Sequence, residues 1–379
     1  MPGAAITFSG AIREGSGAMN ANSYFPADYA EARARFIAAA QTAGARLDSH
    51  ANPAPGPDGL ALTTDTAWFG PRNAEAVLVT ISATHGAEGH CGSGVQAGWF
   101  ESGLHRELPP GLALFAIHAI NPSGFAWLRR VTEDNVDLNR NFIAHGGDYP
   151  ANAAYDHLHA ALCPRDWDDA SLAESDRVIE AYREEHGAWA LQKAVAGGQY
   201  NHPDGIFYGG NTETWSRNAM MQILRENLSG ARRVAVIDYH TGLGPRGHGE
   251  RICVHKPDDL GLARAKDWYR DDVASPFLGT SVSTEIHGVN TLGMVAALPG
   301  IELTAVAIEY GTLPTEQVKL ALRADNWLHL HGELDSAKGL RIKAQIREAF
   351  YQDADDWKDM VWDRAVETQR LALSGLAGG

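Results

Sequence analysis

Ala76-Val77-Leu78-Val79-Thr80-Ile81-Ser82-Ala83-Thr84-His85-Gly86-Ala87-Glu88-Gly89-His90 is the stretch whose reading decides the fold. Its first part, Ala76 to Ala83, is short, apolar and β-branched, which is the pattern of a buried strand. Its second part is a small-residue loop with His85 and Glu88 three apart. In an α/β sheet the loop leaving the carboxyl end of a strand is where ligands bind. There an imidazole nitrogen and a carboxylate can meet one cation. Zinc accepts both donor types and, in catalytic sites, keeps three protein ligands and an open position for water. In a chain with 16 His, H-x-x-E also arises by chance. The rest of the sequence therefore has to supply a third ligand, a base and something that holds substrate.

Working outward, periodicity and composition predict strands over Leu60 to Phe69, Leu112 to Ile120, Arg233 to Tyr239 and Ala305 to Tyr310, with a short one at Ile252 to His255. Helices are expected at Tyr29 to Ala43, Gly92 to Ser102, Asp166 to Ala196, Glu213 to Leu228, Leu260 to Asp271 and Pro314 to His331. Ala337 to Leu373 is charged and helix-prone, and its aromatic residues are expected to anchor it on the body. Strands alternating with helices predict an α/β fold, a mixed, mostly parallel central sheet flanked by helices. Met1 to Ala18 reads as a loose Gly- and Ala-rich tail, and residues 19–379 as one domain.

The 379 residues are 44% hydrophobic and 21% charged, enough to bury a sizeable core, and no apolar run approaches the length of a membrane span. A formal charge of −15 argues against nucleic acid or an anionic membrane as partner. Three cysteines, Cys91, Cys163 and Cys253, are too few for a disulfide scaffold or a Cys-rich zinc site and fit a reducing compartment. Cys91, near the His-Glu loop, reads as a small packed residue before it reads as a nucleophile. With no basic start or apolar core in the first residues to mark a secretory signal, a cytoplasmic location is expected.

Three further stretches carry chemistry. Val236-Ile237-Asp238-Tyr239-His240-Thr241-Gly242 again delivers a His at the end of an apolar strand, a candidate third ligand or simply a hydrogen-bonded strand cap. Val306-Ala307-Ile308-Glu309-Tyr310-Gly311-Thr312 ends a strand on a carboxylate that is costly to bury unpaired. Glu309 is therefore either half of an ion pair or a functional base. The polar stretch from Asn121 to Phe142 holds Arg129, Arg130 and Arg140, planar forks suited to carboxylates and developing oxyanions. Within it Asp137 can accept from the far nitrogen of a metal-bound His. A salt-bridged surface loop is the alternative for this stretch.

Taken together and in this order, the pieces resemble the zinc carboxypeptidases, the M14-like metallopeptidases, and their relatives the aspartoacylase-type deacylases. The matching residues are H-G-A-E at His85 to Glu88, N-P-S-G at Asn121 to Gly124, Arg130 followed by D-L-N-R-N-F at Asp137 to Phe142, D-Y-H at Asp238 to His240 and I-E-Y-G at Ile308 to Gly311. The stretch G-G-Q-Y-N-H-P-D-G-I-F-Y-G-G, Gly197 to Gly210, is similar to a bacterial M14-like subfamily, DUF2817. The resemblance implies one zinc ion per chain held by His85, Glu88 and His240, and Glu309 as general base. It implies Arg130 as stabiliser of the oxyanion, Asn139 and Arg140 as the clamp for a substrate carboxylate, and Asp137 as support for His85. The implied activity is hydrolysis of an amide bond beside a free carboxylate, in a small peptide or, alternatively, an N-acyl amino acid. A metal- or ligand-binding protein without catalysis would have no need of Glu309. The chain departs from the digestive carboxypeptidases where they carry a flexible pocket Tyr: Thr284-Glu285-Ile286-His287-Gly288-Val289-Asn290 has none. Tyr200 and Tyr208 are the candidates to replace it.

Overall fold

A computed structural model describes residues 21–378. The expected tail, residues 1–18, lies outside them. Seven strands form one sheet: β1 (Arg46–Asn52), β2 (Leu62–Phe69), β3 (Ala76–Ile81), β4 (Leu112–His118), β5 (Arg233–Arg246), β6 (Gly249–Ile252) and β7 (Glu302–Gly311), in the order β1-β2-β4-β3-β5-β7-β6. The central strands β4, β3, β5 and β7 are parallel, while the pairings β1–β2, β2–β4 and β6–β7 are antiparallel. Five of the seven strands thus point one way, which is the mixed, mostly parallel sheet expected.

The central strands are apolar on both faces because both faces are covered. Every residue of β3 and β4 is buried. Alternate residues go to opposite layers. Leu78, Ala235, Ile237 and Val306 pack under the helices Tyr29–Ala43, Gly89–Glu101 and Asp355–Gly378. Val77, Val79, Val234 and Ala305 pack against the helices Trp215–Leu228 and Asn290–Ala297. A third apolar cluster, with Tyr155, Leu191, Phe207, Val318 and Phe350, joins helices and loops beside the His-Glu loop, which contributes Ala87 to it.

Some elements differ from the sequence reading. The stretch 166–196 is two helices, Asp169–His186 and Ala188–Ala196, separated by Gly187 at φ 89°. β5 continues past Tyr239 to Arg246, through an irregularity after Thr241. The short strand expected at 252–255 is instead Gly249–Ile252, paired with β7. Edge strand β1, the helix Ala153–Leu162 and the helix Asn290–Ala297 were not anticipated. β1 reads R-L-D-S-H-A-N, mostly exposed and without apolar alternation, so only its pairing with β2 makes it a strand.

Candidate metal centre

His85 follows the carboxyl end of β3, and a one-turn helix, Gly86–Glu88, brings Glu88 round beside it. Gly86 is required there. A Cβ on it would lie 1.9 Å from the Gly124 carbonyl carbon, because the His-Glu loop is laid directly on the Asn121–Gly124 turn. The contact is locked by main-chain bonds from Gly86 N to Arg130 O (3.2 Å) and from Ala87 N to Arg129 O (2.8 Å). His240, in β5, is opposite Glu309 of β7 in the parallel register. The carboxyl ends of three adjacent strands thus assemble one site.

The ligand atoms of His85, Glu88 and His240 lie within 4.8 Å of one another, all three side chains buried. Nδ1 of His85 is 2.9 Å from Glu88 Oε1, Nδ1 of His240 is 3.0 Å from Glu88 Oε2, and the two Nδ1 atoms are 3.2 Å apart. The outer nitrogens are backed by carboxylates: His85 Nε2 is 3.1 Å from Asp137 Oδ1, and His240 Nε2 is 2.9 Å from Asp238 Oδ2. When each Nε2–H donates to its Asp, both Nδ1 lone pairs face the Glu88 oxygens, which also accept from Arg130 Nη1 (3.2 Å) and Thr241 N (3.1 Å). A divalent cation that takes nitrogen and oxygen fits that donor set.

Electrostatics follow from the same contacts. Burial opposes charge on Glu88, but His85 and His240 hold its carboxyl well below the usual range. Burial likewise opposes charge on Asp137 and is outweighed by Arg130, Arg140 and His85. His240 is pushed well above an ordinary imidazole, burial being overcome by Asp238 and Glu88. Glu309, half-buried, goes the other way, to about 8, through burial and then the charge of Glu88. Its Oε1 accepts from Leu243 N at 2.9 Å.

Arg130, and not Arg129, reaches the centre. Its Nε donates to Asp137 Oδ2 (3.0 Å) and its Nη1 to Glu88 Oε1 (3.2 Å), while Nη2 lies 2.9 Å from His85 Nε2. Arg129 turns away to Asp325 and Asn135. Beside the cluster is a cavity of about 120 Å³, which His85, Arg130, Asn139, Arg140, His240 and Glu309 all line. Apolar side chains, among them Val195, Phe207, Leu243, Ile286, Met294 and Phe350, form much of the remaining wall.

A family model described as "Protein of unknown function (DUF2817)" matches residues 25–364. The chain belongs to the DUF2817 family. No curated protein matches it in sequence. Among solved structures, carboxypeptidase A from Helicoverpa armigera is similar with a TM-score of 0.42 and 11% identity, over 85% of this chain and 73% of that one. Bovine thrombin-activatable fibrinolysis inhibitor gives 0.43 and 9%, over 91% and 99%. Succinylglutamate desuccinylase from Chromobacterium violaceum gives 0.35 and 16%, over 83% and 72%.

In this DUF2817 chain the expected clamp residues are placed as follows. Arg140 is buried, with Nε and Nη2 donating to Ala196 O (3.2 and 2.6 Å) and Nη1 to Asn139 O (2.9 Å). Asn139 accepts from Asn290 N at 2.9 Å through Oδ1, which leaves its Nδ2 to donate. Of the tyrosines, Tyr200 donates to Arg140 O at 2.8 Å, and among the described residues no tyrosine lines the cavity. Three residues escaped the sequence reading as site components: Asp238, Thr84 and Asn290. Thr84 Oγ1 donates to Asp238 Oδ2 at 2.9 Å and Asn290 Nδ2 donates to the same oxygen at 2.6 Å. The signal for Asp238 was present, since residues two apart in a strand share a face and D-x-H puts a carboxylate beside the imidazole. For Asn290, more than 50 residues away on a helix that was not foreseen, there was none. Among the described residues no helix is long and apolar enough to cross a membrane.

Proposed function

We propose that this protein is a zinc-dependent hydrolase that cleaves a peptide or amide bond next to a free carboxylate. Residues 19–379 would act as one hydrolase domain, and the three unpaired cysteines are consistent with a cytoplasmic location. The observation that carries the reading is the convergence of two Nδ1 atoms and Glu88, with each imidazole backed by its own aspartate. A zinc ion held by His85, Glu88 and His240 supplies Lewis acidity and a water of lowered pKa.

The chain's own residues do the rest. Glu309 takes the proton of the attacking water and returns it to the leaving amine. Burial, and then the charge of Glu88, raise its carboxyl to about 8. A metal held by Glu88 would offset the second of these causes and bring Glu309 nearer the range of a working base. Arg130 is held by Asp137 through Nε, so its position survives when Nη1 and Nη2 are released. A metal held by His85, Glu88 and His240 would compete with Nη1 for Glu88, and a His85 Nε2–H directed to Asp137 would leave Nη2 no acceptor there. The freed amino groups can then meet the oxyanion. Asn139 Nδ2 and the remaining N–H groups of Arg140 hold the substrate carboxylate, and the apolar wall excludes water from the reacting centre.

The cavity pairs a largely apolar wall with the polar groups of Asn139 and Arg140. That suits an N-acyl amino acid as well as the last residue of a peptide, so deacylation is the second reading. The test compares free-acid and C-terminally amidated forms of one N-acyl dipeptide, together with the N-acyl amino acid itself, using zinc-loaded protein. Preference for the free acids supports the reading, and the better of the two acids decides between peptidase and deacylase. Equal cleavage of acid and amide overturns the carboxylate clamp.

A further inference from the structure

We propose that His159, His202 and Asp204 form a second site for a divalent transition-metal ion, one that clamps the loop forming a wall of the catalytic cavity. The potential ligand atoms of the three residues lie within 4.8 Å of one another. The two imidazoles stack with ring centres 3.9 Å apart and planes 16° from parallel, so one ring has to turn out of the stack for both in-plane lone pairs to meet one ion. Nε2 of His159 is buried and has no hydrogen-bond partner, although Asp204 Oδ1 is 3.2 Å away. His202 Nε2 lies 2.9 Å from Asp156 Oδ1, a carboxylate that orients the His202 ring. Stacked imidazoles disfavour two positive charges, and burial and His202 both push His159 down from the ordinary imidazole range. A neutral imidazole lone pair facing a carboxylate is a donor set for zinc, cobalt or nickel, whereas calcium and magnesium prefer oxygen alone.

The site is built and not a chance meeting of exposed side chains. Gln199, buried, accepts through Oε1 from the N–H groups of Asn201 (3.1 Å) and His202 (2.8 Å) and donates to His202 O (2.8 Å). Asn326 Nδ2 donates to Asp204 O at 2.8 Å, and Tyr155 OH, from the helix that carries His159, donates to Ile206 O at 2.7 Å. Next along the chain, Phe207 lies under the guanidinium groups of Arg130 and Arg140, at 5.1 and 5.6 Å. The carbonyl of Tyr208 accepts from Asp137 N at 2.8 Å. An ion tying His202 and Asp204 to His159 would therefore hold the segment that supports Arg130, Arg140 and Asp137. Its role is to position them, and it touches no substrate.

Equilibrium dialysis of metal-stripped full-length protein against zinc tests this. Wild type should take up about two ions per chain, His202→Ala and His240→Ala about one each, and the double variant none. Asp204→Asn, at an exposed carboxylate, should weaken the second ion while leaving the metal-free fold unchanged by circular dichroism. In the His240→Ala protein, zinc at about 100 times its Kd should slow amide exchange over residues 199–209 on the order of 100-fold. The proposal is overturned if His202→Ala, folded, binds as many ions as wild type, or if zinc leaves exchange of that loop unaltered. Uptake unaffected by His240→Ala would instead overturn the catalytic zinc site, so the two failures are distinct.

Discussion

Replacing Asp238 by Asn changes one atom at the back of the metal centre and should weaken zinc binding by about 10- to 100-fold, or about 1.4–2.7 kcal/mol. The magnitude rests on what Asp238 receives. Its Oδ2 accepts from His240 Nε2 (2.9 Å) and Asn290 Nδ2 (2.6 Å), and Thr84 Oγ1 lies 3.0 and 2.9 Å from its two oxygens. An amide offers one acceptor oxygen. If its NH₂ takes the Oδ2 position, His240 Nε2 must become the acceptor, and the ring proton moves to Nδ1, the ligand atom. If the amide oxygen takes that position, the tautomer survives against a neutral partner, and the imidazole is a poorer ligand. Both routes weaken the ion, the first more than the second. Competition against a chromophoric chelator gives the zinc Kd, and unfolding of the metal-free protein reports the fold. A folded Asp238→Asn protein with a Kd within about twofold of wild type would refute the argument that the outer carboxylates set the tautomers.

The same geometry sets three further outcomes. Glu309→Gln should keep its zinc, because the side chain is no ligand, and lose about 10²- to 10⁴-fold in turnover; loss of zinc would make Glu309 a ligand. Arg140→Ala should cost on the order of 2–5 kcal/mol in kcat/KM for free-acid substrates and little for their amides, measured side by side on both. Without metal, stability should fall as pH rises from 4.5 to about 8. Glu309 binds its proton more tightly folded than unfolded, and that stabilisation is lost through this window; His240, also raised, adds a loss that begins near 6.5 and continues up through its raised folded value. Thermal melts across pH should show the slope, and saturating zinc should remove it.

How much of this was legible in the sequence follows from which forces act locally. β3, β4, β5 and β7 were readable because strands covered on both faces are continuous apolar runs, and burial alone dictates that pattern. His85 and His240 were readable as candidates because each follows an apolar run at a strand end, while Glu88 was singled out by its H-x-x-E spacing and by the family resemblance. β1 was not readable, since an exposed edge strand is stabilised by a partner's hydrogen bonds and not by its own composition. Nor was Asn290, whose importance lies in a 2.6 Å contact with a strand far away in the chain. Arg130 falls between. Its spacing to D-L-N-R-N-F selected it over Arg129, but that its side chain would be tied into Asp137, Glu88 and His85 depends on the fold of the loop around Gly86.

The charges around the centre make a last demand, and it can be measured. Glu88, Asp137, Asp238 and Glu309 are four carboxyl groups, set among two guanidinium groups, Arg130 and Arg140, and two imidazoles. With all four carboxyl groups ionised and both imidazoles neutral, two negative charges are left over in a buried place, which a divalent cation balances. Without the cation, protons have to do so. The structure marks where they sit, because His240 is held well above 6.5 and Glu309 is raised to about 8, while Glu88 and Asp137 are both lowered. Zinc binding at pH 7 should therefore expel about two protons per ion from this centre. Above about 8, where Glu309 is already ionised in the metal-free protein, the number should fall. Calorimetric titration in buffers of different ionisation heat counts the protons, and the His202→Ala protein isolates the first site from the second. Binding that releases none at pH 7, or a number that does not fall above pH 8, would mean that the charge of the ion is balanced by groups other than His240 and Glu309.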